Sequence, residues 1–235
     1  MANAHISSAF DTDLAAVQAQ IVTMGGLVEV AVQLGMKSLE TCDQDLARQV
    51  RAADQVIDDL EETINERAAR IIALRAPTAI DLRLILSVIK ISGNLERIGD
   101  YAKNMAKRTE ALSRSDPIND GIGTLRRMTQ AVRGMLKDAL TAYINRDAAL
   151  AADVIARDQD VDQMYNALFR ELLTFMMEDP HKITACLHLH FIAKNTERMG
   201  DHVTSIAEQV IYLATGKQPD DARNKADTTS LMSGV

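Results

Sequence analysis

The sequence predicts an all-α protein made of two tandem three-helix bundles, six helices related by an internal repeat. Three observations carry that prediction. Apolar residues recur at helical spacing almost throughout the 235 residues. Strand formers are scarce, with aromatics at 3 % and no tryptophan, whereas Ala, Leu, Ile, Met, Arg and Glu abound. A pattern of long helix, long helix, proline turn and long helix occurs twice.

The first helix runs from about Asp13 to Thr41, with Leu14, Val17, Ile21, Met24 and Val28 on one stripe. Asp43 or Asp45 opens the second, whose Ile57, Leu60, Ile64, Ala68 and Ile71 keep one face apolar. Pro77 marks a turn, because proline disfavours helical geometry at the residue before it. A third helix extends from near Thr78 to Leu112. The stretch from Ser113 to Gly123 is dense in turn residues and reads as the linker between the halves. A fourth helix covers roughly Pro117 to Ile144, Asp147 caps the fifth, Asp179-Pro180 makes the next turn, and the sixth ends near Thr215. The bundles are therefore expected at residues 10–112 and 117–215, with residues 216–235 a polar, disordered tail.

The repeat is visible in the residues themselves. The run NLERIGD from Asn94 to Asp100 returns as NTERMGD from Asn195 to Asp201, displaced by 101 residues. Upstream, Asp54 to Asp58 (DQVID) matches Asp158 to Asp162 (DQDVD), displaced by 104.

Composition excludes several function classes. A net charge of −7 argues against nucleic acid as the main partner, since phosphate backbones require a basic footprint. Cys42 and Cys186 lie far apart, so neither a disulfide framework nor a zinc cluster is indicated. No signal peptide is visible in residues 1–13, and Leu82 to Ile91, the most apolar segment, is too short to span a bilayer and contains Arg83 and Lys90. A cytoplasmic protein, touching membranes only through partners, is expected.

Four carboxylate pairs stand at i and i+4: Asp54 and Asp58, Glu96 and Asp100, Asp158 and Asp162, Glu197 and Asp201. Each pair shares a helix face, where like charges cost a few tenths of a kcal/mol. Helix stability does not ask for them, and a bound cation would turn repulsion into coordination. Asp58 and Glu96, like Asp54 and Asp100, are equidistant from Pro77; their counterparts are equidistant from the Asp179-Pro180 turn. Since both arms of a helical hairpin rise equally per residue, each half is expected to bring four carboxylates level. Oxygen-rich clusters of this kind suit magnesium, manganese or calcium, and carboxylate-bridged iron or zinc as well. A single acidic pair is ordinarily a solvated face with salt bridges; four in matched register ask for more, and an exposed ridge is expected.

Gly99 and Gly200 precede the last acid of each motif at a cost of about 0.8–1 kcal/mol relative to alanine, so a side chain there is expected to obstruct a neighbouring helix or a ligand. Arg97 and Arg198 point elsewhere on the wheel, to acids of an adjoining helix or to a partner. His188 and His190 face different directions and read as packing residues, with His202 a peripheral ligand at most.

On these motifs the chain resembles the PhoU family over about residues 10 to 215. The resemblance implies multinuclear metal clusters, with iron or zinc as the metal, on the acidic ridges. Carried over residue by residue, the implied ligands are Glu96 and Asp100, then Glu197 and Asp201, with Asp54, Asp58, Asp158 and Asp162 at weaker acidic positions. The family pattern continues with asparagine four residues past the aspartate; Asn104 keeps it and Ser205 does not, so the second ridge is expected to hold metal differently or less tightly. The resemblance further implies a homodimeric, non-enzymatic adaptor. Its partners would be the ATPase subunit of the Pst phosphate ABC transporter and a sensor histidine kinase, with the phosphate regulon restrained when phosphate is plentiful. The alternatives are a carboxylate-bridged metal enzyme and a metal-independent helical scaffold. The first lacks the Glu-x-x-His pairs of di-iron bundles, a P-loop and a G-x-S-x-G nucleophile.

Overall fold

The computed structural model describes residues 2–75, 77–114 and 118–219, with side chains from Phe10 onward except those of Asn119 and Asp120. Of the expected tail, residues 220–235 lie outside the described residues. Six long helices follow one another: α1 (Ala2–Glu40), α2 (Gln44–Arg75), α3 (Ala79–Leu112), α4 (Asn119–Asn145), α5 (Ala148–Glu178) and α6 (Ile183–Thr215), with one 3₁₀ turn at Pro180–Lys182. No strand occurs among the described residues.

Local chemistry sets most of the boundaries. The Asp43 carboxylate accepts from the Leu46 amide at 2.9 Å, and Asp147 accepts from the amides of Ala149 and Leu150 at 3.0 Å, closing donors that the first turn leaves open. Asp179 accepts from the His181 amide at 3.0 Å ahead of the 3₁₀ turn. Gly216, at φ +77°, ends α6 in the left-handed conformation that glycine tolerates. One boundary differs from expectation: helix α1 begins at Ala2 rather than near Asp13. Helix α4 begins at Asn119, close to the expected Pro117, so Gly121 and Gly123, where the linker and helix readings overlapped, are helical. At Gly121 packing outweighs propensity, since a Cβ there would sit 3.2 Å from Leu189 of α6.

In each half three helices run up, down and up, and the halves meet along two antiparallel seams, α3 on α6 and α1 on α4. Along the first seam Asn94 meets His202 and Arg108 meets His188. Along the second, Arg133 of α4 donates to Glu29 and Gln33 of α1 at 3.2 and 3.0 Å. Tyr101 and His202, equivalent residues of the two repeats, face each other with ring centroids 5.7 Å apart, which puts the pseudo-twofold axis of the repeat between them. One continuous core runs through both halves, from Ile21, Ile64 and Ile98 to Leu125, Leu168 and Ile206. Helix α3 explains why: Leu84, Ile85, Val88, Ile91, Leu95, Ile98, Ala102 and Met105 are all buried, an apolar face too wide for one bundle to cover.

By length and composition the helix segment Phe10–Glu40 is long and apolar enough to cross a membrane. Its Val17, Ile21, Met24, Val28 and Val32 are instead buried in the core.

Candidate metal centres on two acidic ridges

Because α2 and α3 are antiparallel about the Pro77 turn, the four acids of the first half do come together. Glu96 feels Asp58 across the helix pair, and Asp100 acts on both. Burial raises the Asp58 pKa, Asp54 and Asp100 add to that, and Lys103 opposes it. Burial likewise raises Glu96, followed in effect by Asp100 beside it, while Arg97 opposes. Burial and neighbouring carboxylates thus raise both groups above the ordinary carboxylate range.

The positive charge between them in this structure is the protein's own. Lys103 donates to Asp54 of α2 and, at 3.0 Å, to Asp100 of α3. Its own pKa rises through those two hydrogen bonds, the one with Asp54 foremost. Arg97 folds onto Glu96 (3.4 Å) and Asp100 (3.7 Å) of its own motif rather than reaching another helix.

The second ridge is arranged differently. Asp162 and Glu197 are buried, and Asp158 and Asp201 are half-buried. Lys194 reaches the Glu197 Oε1 at 3.0 Å, and the Glu197 Oε2 is buried with no hydrogen-bond partner. Burial raises the Glu197 pKa, Lys194 lowers it, and Asp201 and Asp162 raise it further. Lys103 and Lys194 are not repeat-equivalent; Thr204 and Gly93 stand at their counterpart positions. Each ridge has acquired its cation from a different place, which is the outcome expected if the charge of the acids has to be offset.

Among the described residues no three His, Cys, Asp or Glu side chains are set as a metal cage. In the first ridge the ammonium of Lys103 stands where a cation would. The second ridge fits a cation better on its own chemistry, since its acids supply hard oxygen donors and the Glu197 Oε2 is left over. An exposed ridge was the expectation, and the structure corrects it: Asp54, Asp162 and Glu197 are buried to within 5 % of full exclusion. The two glycines make room for different neighbours, an acid at Gly200 and an apolar side chain at Gly99. A Cβ on Gly200 would lie 2.7 Å from the Asp158 Oδ1, and one on Gly99 would lie 3.2 Å from the Ile57 Cδ1.

The histidines are occupied elsewhere. His202 donates from Nδ1 to the Asn94 amide oxygen at 2.8 Å. His188 accepts from Arg108 at 3.0 Å, and Arg108 also lies 4.6 Å over the Phe191 ring. His190 sits among Tyr165, Phe169 and Phe191. Lys103 and Lys194 were not singled out in the sequence, although each lies three residues from a motif acid and therefore on its face.

Fold and ridges together define a class of protein: a doubled three-helix bundle, six helices in all, with acidic side chains gathered on a ridge of each repeat. The PhoU domain model matches residues 21–109 and again 125–210. The phosphate-specific transport system accessory protein PhoU homolog of Rhizobium meliloti is 44 % identical over 235 residues, covering all of this chain and 99 % of that protein. The homolog from Zymomonas mobilis is 47 % identical over 94 % of this chain and 93 % of its own length. Crystal structures of PhoU from Pseudomonas aeruginosa (TM-score 0.85, 41 % identity, 88 % of this chain and all of that one) and of the phosphate transport system regulatory protein PhoU from Streptococcus pneumoniae (TM-score 0.83, 28 % identity, 90 % and 99 %) share the fold. The chain belongs to the PhoU family.

Proposed function

We propose that this protein is an accessory regulator of a phosphate-specific transport system, a helical adaptor rather than an enzyme. The observation that carries the reading is the pair of acidic ridges built on NLERIGD and NTERMGD, in a chain related end to end to accessory proteins of that system. The adaptor works in the cytoplasm as a homodimer and meets the ATPase subunit of the transporter and a sensor histidine kinase. When phosphate is plentiful it restrains the phosphate-responsive genes. The ridges bind metal: iron or zinc, with manganese or magnesium as further occupants. Asp54, Asp58, Glu96 and Asp100 supply one site once Lys103 is displaced, and Asp158, Asp162, Glu197 and Asp201 supply the other. Bound metal would fix the relative height of two helices in each half and so the surface offered to a partner.

One observation favours a second reading, a scaffold independent of metal: Lys103 already pairs with both Asp54 and Asp100. Affinity capture from cells grown in high and in low phosphate separates the alternatives. The adaptor reading expects a membrane ATPase and a kinase to co-purify in a nutrient-dependent way, and less so with Glu197→Ala/Asp201→Ala. Capture of neither partner at either phosphate level would defeat it. Equal capture by the variant would favour the scaffold.

A further inference from the structure

One recess on the molecule has no part in the ridges. It opens between the start of α1 and the end of α2, has a volume of about 360 Å³, and is lined by Arg67, Arg70 and Arg75 with Asp13 and an apolar wall that includes Val17 and Ile71. Arg75 pairs with Asp13 at 3.2 Å. Arg67 and Arg70 are exposed and have no acidic partner among the described residues. Three guanidiniums against one carboxylate leave two positive charges in surplus, on a chain whose net charge is −7.

Arg75 alone would be an ordinary cation in the last turn of a helix. Arg67 and Arg70 are not explained that way, because they stand one to two turns further in and, three residues apart, repel each other. The internal repeat supplies a control. Displaced by 104 residues, Arg67, Arg70 and Arg75 become Glu171, Thr174 and Asp179. The same end of the second half is acidic where the first is basic, so the arginines do not belong to the shared scaffold.

We infer that this recess binds a small phosphorylated anion. Planar guanidiniums match phosphate oxygens two at a time, and the surplus of two charges suits a dianion. The volume lies at the small end of ligand pockets and exceeds what one inorganic phosphate needs. With an apolar wall beside the arginines, the favoured ligand is a phosphate ester or a condensed phosphate.

The test is calorimetric titration of the full chain, in EDTA so that ridge metal cannot hold the anion, with inorganic phosphate, pyrophosphate, AMP and succinate. Saturable one-to-one binding of pyrophosphate or AMP is expected. Arg67→Gln/Arg70→Gln should weaken it at least tenfold, with circular dichroism unchanged because neither side chain is buried or paired. Arg51→Gln, an exposed arginine at the other end of α2, should leave it within twofold. The proposal is overturned by the absence of saturable binding, by equal loss in Arg51→Gln, by binding retained in the double variant, or by succinate binding as tightly as pyrophosphate.

Discussion

Replacing Gly200 by alanine tests how the second ridge is built. Alanine in mid-helix gains about 1 kcal/mol over glycine from propensity alone. At Gly200 that gain is opposed, because the new methyl would lie 2.7 Å from the Asp158 Oδ1 and 3.7 Å from the Val161 Cγ1. The carboxylate has to turn away from α6, and overpacking of this kind costs about 1–3 kcal/mol. The net expectation for Gly200→Ala is a loss of about 1 kcal/mol, or a Tm lower by roughly 2–4 °C for a chain of this size. Gly134→Ala in α4 is the control: nothing lies within 4 Å of its Cβ, so it should gain about 1 kcal/mol. The assay is urea unfolding of both variants and the parent at pH 7.5, comparing midpoints at constant slope. Should Gly200→Ala gain as much stability as Gly134→Ala, the claim that this glycine makes room for Asp158 is refuted.

Lys103→Met leaves the buried Asp54 without its partner and should cost about 2 kcal/mol in the same assay, most of it recovered by adding Asp54→Asn, since the penalty belongs to the orphaned carboxylate. The same Lys103→Met chain should bind manganese more tightly at the first ridge in equilibrium dialysis, because the competing ammonium is gone. The fold should also lose stability in mild acid through His190, whose pKa is lowered by burial and then by Lys194. A base depressed in the fold binds its proton first in the unfolded chain, so stability holds above the unfolded pKa of about 6.5 and falls as pH drops from there towards the folded value. His190→Phe, placed among Tyr165, Phe169 and Phe191, should flatten that fall between pH 7.5 and 5.5 in urea unfolding.

Much of the architecture is legible in the residues because it rests on local chemistry. Asp43, Asp147, Pro77, Asp179-Pro180 and Gly216 each mark a helix end by a mechanism that works within a few residues. The levelling of the carboxylates is legible for a similar reason, since two antiparallel helices joined by a short turn keep equal heights. What tertiary packing decides is harder to read. Gly121 falls where the linker and helix readings overlap, and what makes it glycine is the close approach of Leu189, 3.2 Å from where a Cβ would stand. The union of the halves depends on how wide the apolar face of α3 is, which a stripe-by-stripe reading undercounts. The burial of Asp54 has a signal in hindsight: with Val50 and Ile57 it continues the apolar stripe of α2 at i, i+4 and i+7 spacing. Lys103 and Lys194 fall outside the repeat, and a search for matched positions passes over them.

The central claim, that the opposed carboxylates of each half exist to hold a cation, is tested most directly by metal content. The parent chain, Glu96→Ala/Asp100→Ala and Glu197→Ala/Asp201→Ala would each be loaded with manganese, iron or zinc, dialysed, and measured by elemental analysis, with circular dichroism confirming that the helices persist. The account predicts that each double variant loses the metal of its own ridge and keeps that of the other. Equal metal content in all three chains would contradict it.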